Sequence, residues 1–288
     1  MALLETRELT KVYNRRAVVD NVSFDVNLGE IVGMLGPNGA GKTTAFRMTI
    51  GMIRPQKGRV YFQGQDVSAL PMFQRARRGM GYLAQEPSIF QRLTVEENIK
   101  AVLELRGVRY RKRRETTKKL LTDFGLIGLS RHKAYTLSGG ERRRLEIART
   151  LCTDPKLILL DEPFTGVDPI AVNEVQELVK HLKFMGIGIL ITDHNVQEAL
   201  RITDRAYILS EGRIVTLGTP EEIINDPIAR KSYLGDRISS AHIGLDEPGS
   251  QRDLSSEERL SEEASALDFS TPTLEPSEKK NNKGRNGK

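Results

Sequence analysis

The sequence predicts an α/β fold: a parallel sheet covered by helices, opened by antiparallel strands and interrupted by a helical insertion. Three observations predict it. Two buried apolar runs, 157–160 and 188–192, flank a stretch whose apolar positions Val172, Val175, Leu178, Val179 and Leu182 recur at helical spacing. Strand, helix, strand in that order implies parallel pairing. From Thr94 to Thr150 the pattern is almost wholly helical, and the first 35 residues alternate apolar with polar positions.

Taken in chain order, the alternation Leu9, Val12, Val18, Val22, Phe24, Val26 reads as short antiparallel strands, and the run 30–35 reads as the first buried strand. Phe46, Met48 and Ile50 mark a helix just beyond it. Thr94 with Glu97 has the spacing of a capping box, and so does Ser138 with Glu141, so each pair predicts a helix start. The strongest apolar piece, Phe184 to Ile191, reads as a buried strand with its lead-in. Residues 205–210 and 213–218 flank Glu211-Gly212 as a hairpin, and a short helix follows Pro220. No internal repeat is visible. These elements divide the chain into a folded domain over 1–235, with a helical subdomain at about 94–150, and a charged tail over 236–288 that reads as disordered.

Composition narrows the class. The 288 residues suffice for one large domain or two modest ones, yet 38% hydrophobic and 6% aromatic content beside 28% charged implies that part of the chain does not fold. From Asp236 onward there are 11 acidic and 8 basic residues, so a tail of −3 leaves a body of +9 within the total of +6. No uncharged apolar stretch approaches the roughly 18 residues of a membrane helix, and the N-terminus lacks a secretory pattern. A single cysteine, Cys152, excludes an internal disulfide and a cysteine zinc cluster, and points to a reducing cytoplasm. Arg106 to Lys119 holds eight basic residues and one acid, but its one aromatic, Tyr110, makes no interleaved set for base stacking, so no nucleic-acid partner is expected. His132, His181 and His242 fall outside any motif and read as surface residues.

Chemistry concentrates after the first buried strand. Gly36, Pro37, Asn38, Gly39, Ala40, Gly41, Lys42, Thr43 and Thr44 match the G-x-x-x-x-G-K-T phosphate loop, between a strand and a helix as that motif requires. Glycines let backbone amides turn inward around a polyphosphate, and the following helix presents unpaired donors and its positive dipole end. Lys42 then reaches the β and γ phosphates and the Thr43 hydroxyl binds Mg²⁺. A partner carboxylate is expected at the end of a neighbouring strand, and the run 157–160 ends in Asp161 and Glu162. Asp161 is the metal ligand of this reading, and Glu162 the group that polarises an attacking water.

Leu137-Ser138-Gly139-Gly140-Glu141 decides among phosphate-loop proteins, because here the sequence resembles the ABC ATPase family over residues 3 to about 235. The resemblance implies an ATP- and Mg²⁺-dependent ATPase that acts as a homodimer, with Ser138, Gly139 and Gly140 of one copy binding the γ-phosphate held by the other. It further implies that Tyr13 stacks on adenine, that Gln85 binds magnesium and senses a transport subunit, and that Asp168 lies in the loop crossing the dimer interface. His194 corresponds to the switch histidine at the γ-phosphate. Catalysis then falls to Glu162, His194 and Lys42, and metal binding to Thr43, Gln85 and Asp161.

The strings YLAQEPSIF, TVEENI, SGGERRRLEIAR, FTGVDP and ITDHNV, with Ser232-Tyr233-Leu234-Gly235 near the end, are similar to the ATPases of lipopolysaccharide export. That similarity implies a peripheral protein on the cytoplasmic face of the inner membrane, under two integral subunits that dock near Gln85 to Leu93, with Phe90 in the receiving groove. The tail of about 50 residues departs from those relatives. Three other readings compete: a branched-chain amino acid importer ATPase, a soluble ABC-type regulator, and a nucleotide-binding scaffold without turnover. A single cassette of ordinary length argues against the regulator, and an intact Glu162 and His194 against the scaffold.

Overall fold

In a computed structural model of the chain, the described residues are 2–86, 88–165 and 169–230. Asp168, His242, Ser232 to Gly235 and the charged tail lie outside them. Chain order begins with a long antiparallel pair, β1 (Leu4–Tyr13) and β2 (Arg16–Val26), then β3 (Ile31–Leu35) and α1 (Lys42–Ile50). Next come β4 (Lys57–Phe62), β5 (Gln65–Asp66), α2 (Met72–Ala76) and β6 (Met80–Leu83). The helical stretch holds α3 (Val95–Leu105), α4 (Tyr110–Asp123), two short 3-10 turns and α5 (Gly139–Leu151). Then β7 (Leu157–Asp161), α6 (Pro169–Phe184), β8 (Gly188–Asp193), α7 (Val196–Leu200), β9 (Arg205–Ser210), β10 (Arg213–Gly218), α8 (Pro220–Asn225) and α9 (Pro227–Ala229) complete it.

Two sheets organise these strands. One is antiparallel, in the order β2-β1-β4-β5; the other runs β10-β9-β3-β8-β7-β6 and is parallel from β9 to β6, with β10 as an antiparallel edge. The parallel strands β3, β7 and β8 are buried at every position, as expected for strands covered on both faces. Helix α1 packs against β1 and β2 on one side and β7 and β8 on the other. Its Ala45, Phe46, Met48 and Ile50 are fully buried, because a helix held between two sheets keeps little of its surface wet; Arg47 is its exposed residue.

Register places the chemistry. Leu35 pairs with Asp193, and Asp161 pairs with Thr192, so the ends of β3, β7 and β8 finish at one edge of the sheet. Residues 36, 162 and 194 leave from that same edge, the carboxyl edge at which open α/β sheets bind ligands.

Both capping boxes form as the spacing predicts: Thr94 caps α3 and Ser138 caps α5, each with its glutamate reaching back. The expected hairpin and the helix after Pro220 are also present. Elsewhere the sequence reading needs correction. The opening strands are long, ten and eleven residues, because bulges let β1 follow β2 without losing its partner. Phe184 is not a strand lead-in; it ends α6 and stands 61% exposed. His181 is half-buried rather than on the surface, and burial lowers its pKa while Asp123 on α4 opposes the shift. Nothing in the sequence singled out β4, β5, α2 or β6, since each shows only one or two buried apolar positions or is too short to display a period.

Arg75 on α2 holds the far end of α1. It is 1% exposed, and its guanidinium donates to the carbonyls of Met48, Thr49, Leu70 and Ser68 at 2.6–3.0 Å. A cation on the last carbonyls of a helix complements its dipole. Burial nevertheless lowers the Arg75 pKa to about 10.

Candidate nucleotide site

The loop between β3 and α1 takes its shape from two crowded glycines. A Cβ on Gly36 would lie 2.1 Å from the Leu209 carbonyl oxygen, and one on Gly41 would lie 2.4 Å from that of Val18, both at positive φ. Gly39 also has positive φ but faces open space, and it is exposed together with Asn38. Inside the loop the Ala40 amide donates to Pro37 at 3.2 Å. The Lys42 ammonium donates to the Gly36 and Pro37 carbonyls at 2.6 and 3.0 Å, folding the side chain back along the loop. Only 5% exposed, Lys42 has its pKa lowered by burial, against the opposing pull of Glu162, Asp193 and Asp161. The N-cap of α1 is Gly41, which has no side chain to offer the first amides, an arrangement suited to an anion in the loop. Thr43 and Thr44 are half-exposed there.

The carboxylates stand opposite. Asp161, 6% exposed, accepts from the Thr192 hydroxyl at 2.8 Å, with the Tyr82 hydroxyl 3.5 Å from its other oxygen. Burial raises its pKa, with Glu162 adding to the rise and Arg47 opposing it. Glu162 has a φ of 46°, uncommon for a residue with a Cβ, and its amide donates to Thr192 at 2.8 Å. That left-handed turn swings the side chain out of strand alignment.

The Thr165 hydroxyl donates to Glu162 Oε2 at 3.2 Å and lies 3.2 Å from His194 Nδ1. A hydroxyl has one proton; with that proton on Glu162, His194 Nδ1 must carry the hydrogen of the second bond. His194 Nδ1 is also 3.5 Å from Glu162 Oε2. Asp193, fully buried, accepts from the Phe164 amide at 3.1 Å and the Asn195 amide at 2.7 Å, tying the segment after Glu162 to the segment after His194. Burial raises the Asp193 pKa as well.

Thus the loop, Asp161, Glu162 and His194 converge. Tyr13 stands apart at the end of β1, 45% exposed, with Lys11 Nζ 5.4 Å from its ring centroid. Gln85 is exposed just after β6. Ser138 and Gly139 are exposed at the start of α5, and Ser138 Oγ accepts from the Glu141 amide at 3.2 Å. Added bulk at Gly139 would meet nothing within 4 Å. Sequence reasoning missed Thr165, Thr192 and Asp193. Asp193 was findable, as an acid ending an apolar run one residue before a site histidine; the two threonines carry no signal until the strands are in register.

A phosphate loop at the carboxyl edge of a parallel sheet, with a carboxylate pair at the end of β7, one strand away across β8, and a helical insertion, defines a nucleotide-binding ATPase of the cassette type. The chain belongs to the ABC transporter family, whose sequence profile matches residues 19–165, and it is an ATP-binding, ABC-type ATPase. A lipopolysaccharide export system ATP-binding protein LptB from Acidithiobacillus ferridurans is 52% identical over 82% of this chain and 98% of its own length. Among solved structures, the ADP conformation of an ATP-binding cassette of an ABC transporter superposes with a TM-score of 0.73 at 30% identity, over 82% of this chain and all of that one. The dimeric, post-hydrolysis structure of another cassette, bound to ADP and Pi, has a TM-score of 0.66 at 25% identity, over 75% of this chain and 98% of its own.

Proposed function

We propose that this chain is the ATPase subunit of a lipopolysaccharide exporter, working as a homodimer on the cytoplasmic face of the inner membrane beneath two integral subunits that dock near Gln85 to Leu93. The similarity to LptB along nearly the whole length of that protein carries the transport assignment. Among the described residues no helix is long and apolar enough to cross a membrane, which fits a chain that drives separate membrane subunits.

In this reading the loop amides of 36–44 and Lys42 grip the triphosphate, and Tyr13 stacks on the adenine. The oxygen donors Thr43, Gln85 and Asp161 suit Mg²⁺, a hard cation that is held through one or two carboxylates and fills its other positions from neutral oxygens, phosphate and water. Asp161 fits in particular, because a cation beside it offsets the burial that raises its pKa. When bound, Mg²⁺ supplies charge neutralisation on the phosphate oxygens. Glu162 orients the attacking water, and Thr165 with Asp193 fixes the direction of both Glu162 and His194. Ser138, Gly139 and Gly140 reach across to the partner's nucleotide; the exposure of Ser138 and Gly139 and the open space around Gly139 support that role. Asp168 belongs to the same interface in this reading. The folded domain over 1–235 carries all of these residues, and the 236–288 tail none of them.

The test is Glu162→Gln with saturating Mg²⁺ and ATP. Size-exclusion chromatography is expected to show a dimer that persists without turnover, and a monomer under those conditions would refute the sandwich. Purification from membranes is expected to bring down two integral subunits; recovery of a periplasmic binding protein's permease pair instead would refute the export assignment.

A further inference from the structure

The face of α5 that follows the signature serine turns its buried side toward the segment just after β6. Glu146, 4% exposed, accepts from the Ser88 amide at 2.8 Å through one carboxylate oxygen and from Arg143 at 2.9 Å through the other. Arg143 also donates to the Ala84 carbonyl at 3.3 Å. The acid and the cation therefore grip residues 84 and 88, on either side of Gln85, from two positions one helical turn apart on α5. A carboxylate in the middle of an amphipathic helix normally faces water. This one is buried where an apolar residue would pack, and one of its oxygens is spent on a loop that is otherwise exposed at Gln85 and Glu86. Asn98 of α3 completes the hold further along, accepting from the Phe90 amide at 2.8 Å and donating to its carbonyl at 3.1 Å.

We propose that Glu146, with Arg143, is a positioning residue for Gln85: it clasps the 84–88 segment to α5, so that Gln85 and Ser138 move as one body. The inference deepens the function proposed above and rests on Gln85 being a metal ligand there. A buried pair of this kind adds little net stability against an apolar replacement, whereas removing one partner strands the other. The pair can thus be tested without collapsing the helix, by replacing both members.

The experiment compares the full-length chain with the double variant Arg143→Met/Glu146→Leu and with Gln85→Ala. It measures ATP binding in EDTA and the Mg²⁺ concentration for half-maximal ATPase rate. Loss of an outer support for a metal ligand typically weakens metal affinity by about tenfold or more. The double variant is expected to bind ATP in EDTA as the parent does, while its Mg²⁺ half-point rises by about tenfold. An unchanged half-point in the double variant, alongside a raised one in Gln85→Ala, overturns the clasp. An unchanged half-point in Gln85→Ala itself overturns the role given to Gln85 under the proposed function. Should the double variant lose ATP binding in EDTA, Ser88→Pro decides, with Ser88→Ala as its control: both remove the hydroxyl to which Arg149 of α5 donates at 2.7 Å, and the proline alone also removes the amide hydrogen that Glu146 accepts. A half-point raised in the proline variant above that of the control supports the clasp, and one no higher than the control's refutes it.

Discussion

Thr165→Val is the sharpest probe of the catalytic edge, because it changes one hydroxyl for a methyl of the same shape. The hydroxyl joins Glu162 Oε2 and His194 Nδ1, each at 3.2 Å. A hydrogen bond to a charged group contributes about 1.5–3 kcal/mol, and a neutral one about 1. The Glu162 side chain is 20% exposed and that of His194 46%, so water recovers part of both bonds. The loss in positioning should therefore lie at the lower end, about 1.4 kcal/mol, which is a tenfold change in rate. Because the bond orients groups rather than binding ATP, the fall belongs in kcat, with KM for ATP within about twofold. Steady-state ATPase assays measure both, and Thr165→Ser should recover most of the rate. A kcat for Thr165→Val within about twofold of the parent would refute the bridge, as would a loss confined to KM.

Arg75→Met takes the guanidinium from four carbonyls, of which Met48 keeps the Gly51 amide, while keeping the stem's packing, so about 2–4 kcal/mol of stability should be lost. For a domain of this size that is a fall in Tm of roughly 5–15 °C by circular dichroism, and a shift below about 2 °C would refute the role of the clamp. Mg²⁺ dependence should also vary with pH. Burial raises the Asp161 pKa above its ordinary value of 3.8, so the folded chain without metal holds that proton at pH values where the unfolded chain has released it. Stability of the metal-free chain contributed by this group therefore falls as pH rises through the window from the ordinary to the raised value, and Mg²⁺ affinity rises through the same window. Calorimetric titration with Mg²⁺ and ATP across that range tests the sign; stronger binding on acidification would contradict it.

How much of this could be read from the chain alone depends on what kind of constraint each residue obeys. The phosphate loop is legible because backbone crowding fixes its spelling: Gly36 and Gly41 sit where a Cβ would meet a carbonyl oxygen, so no other residue fits. The two helix starts are legible because a capping box is a local bond between residues three apart. Asp193 and Thr192 are different. Their meaning lies in pairing across strands, Asp193 with Leu35 and Thr192 with Asp161, which are far apart in sequence. Glu146 is more hidden still, since an acid on a helix predicts an exposed face and only the tertiary fold brings Ser88 to it. Arg75 belongs with it, a cation buried for the sake of four carbonyls on segments the sequence does not join.

The charges at the nucleotide edge oppose each other in a way that bears on how ligands bind. Lys42 is buried with two loop carbonyls as its acceptors among the described residues, and its pKa is lowered by that burial. Asp161 and Asp193 are buried too, with theirs raised. Each sign of charge is thus held in an environment that disfavours it, and the two signs are close enough to offset one another only in part. An anion in the loop relieves Lys42 while adding repulsion at Asp161 and Glu162; a divalent cation relieves Asp161 while opposing Lys42. Either alone corrects one imbalance and worsens the other, whereas the two together correct both. Binding of ATP and of its metal should therefore be positively coupled, each tightening the other by the same factor. Hydrolysis would reduce the negative charge tied to the loop, so the coupling to a divalent cation should be weaker for ADP than for ATP.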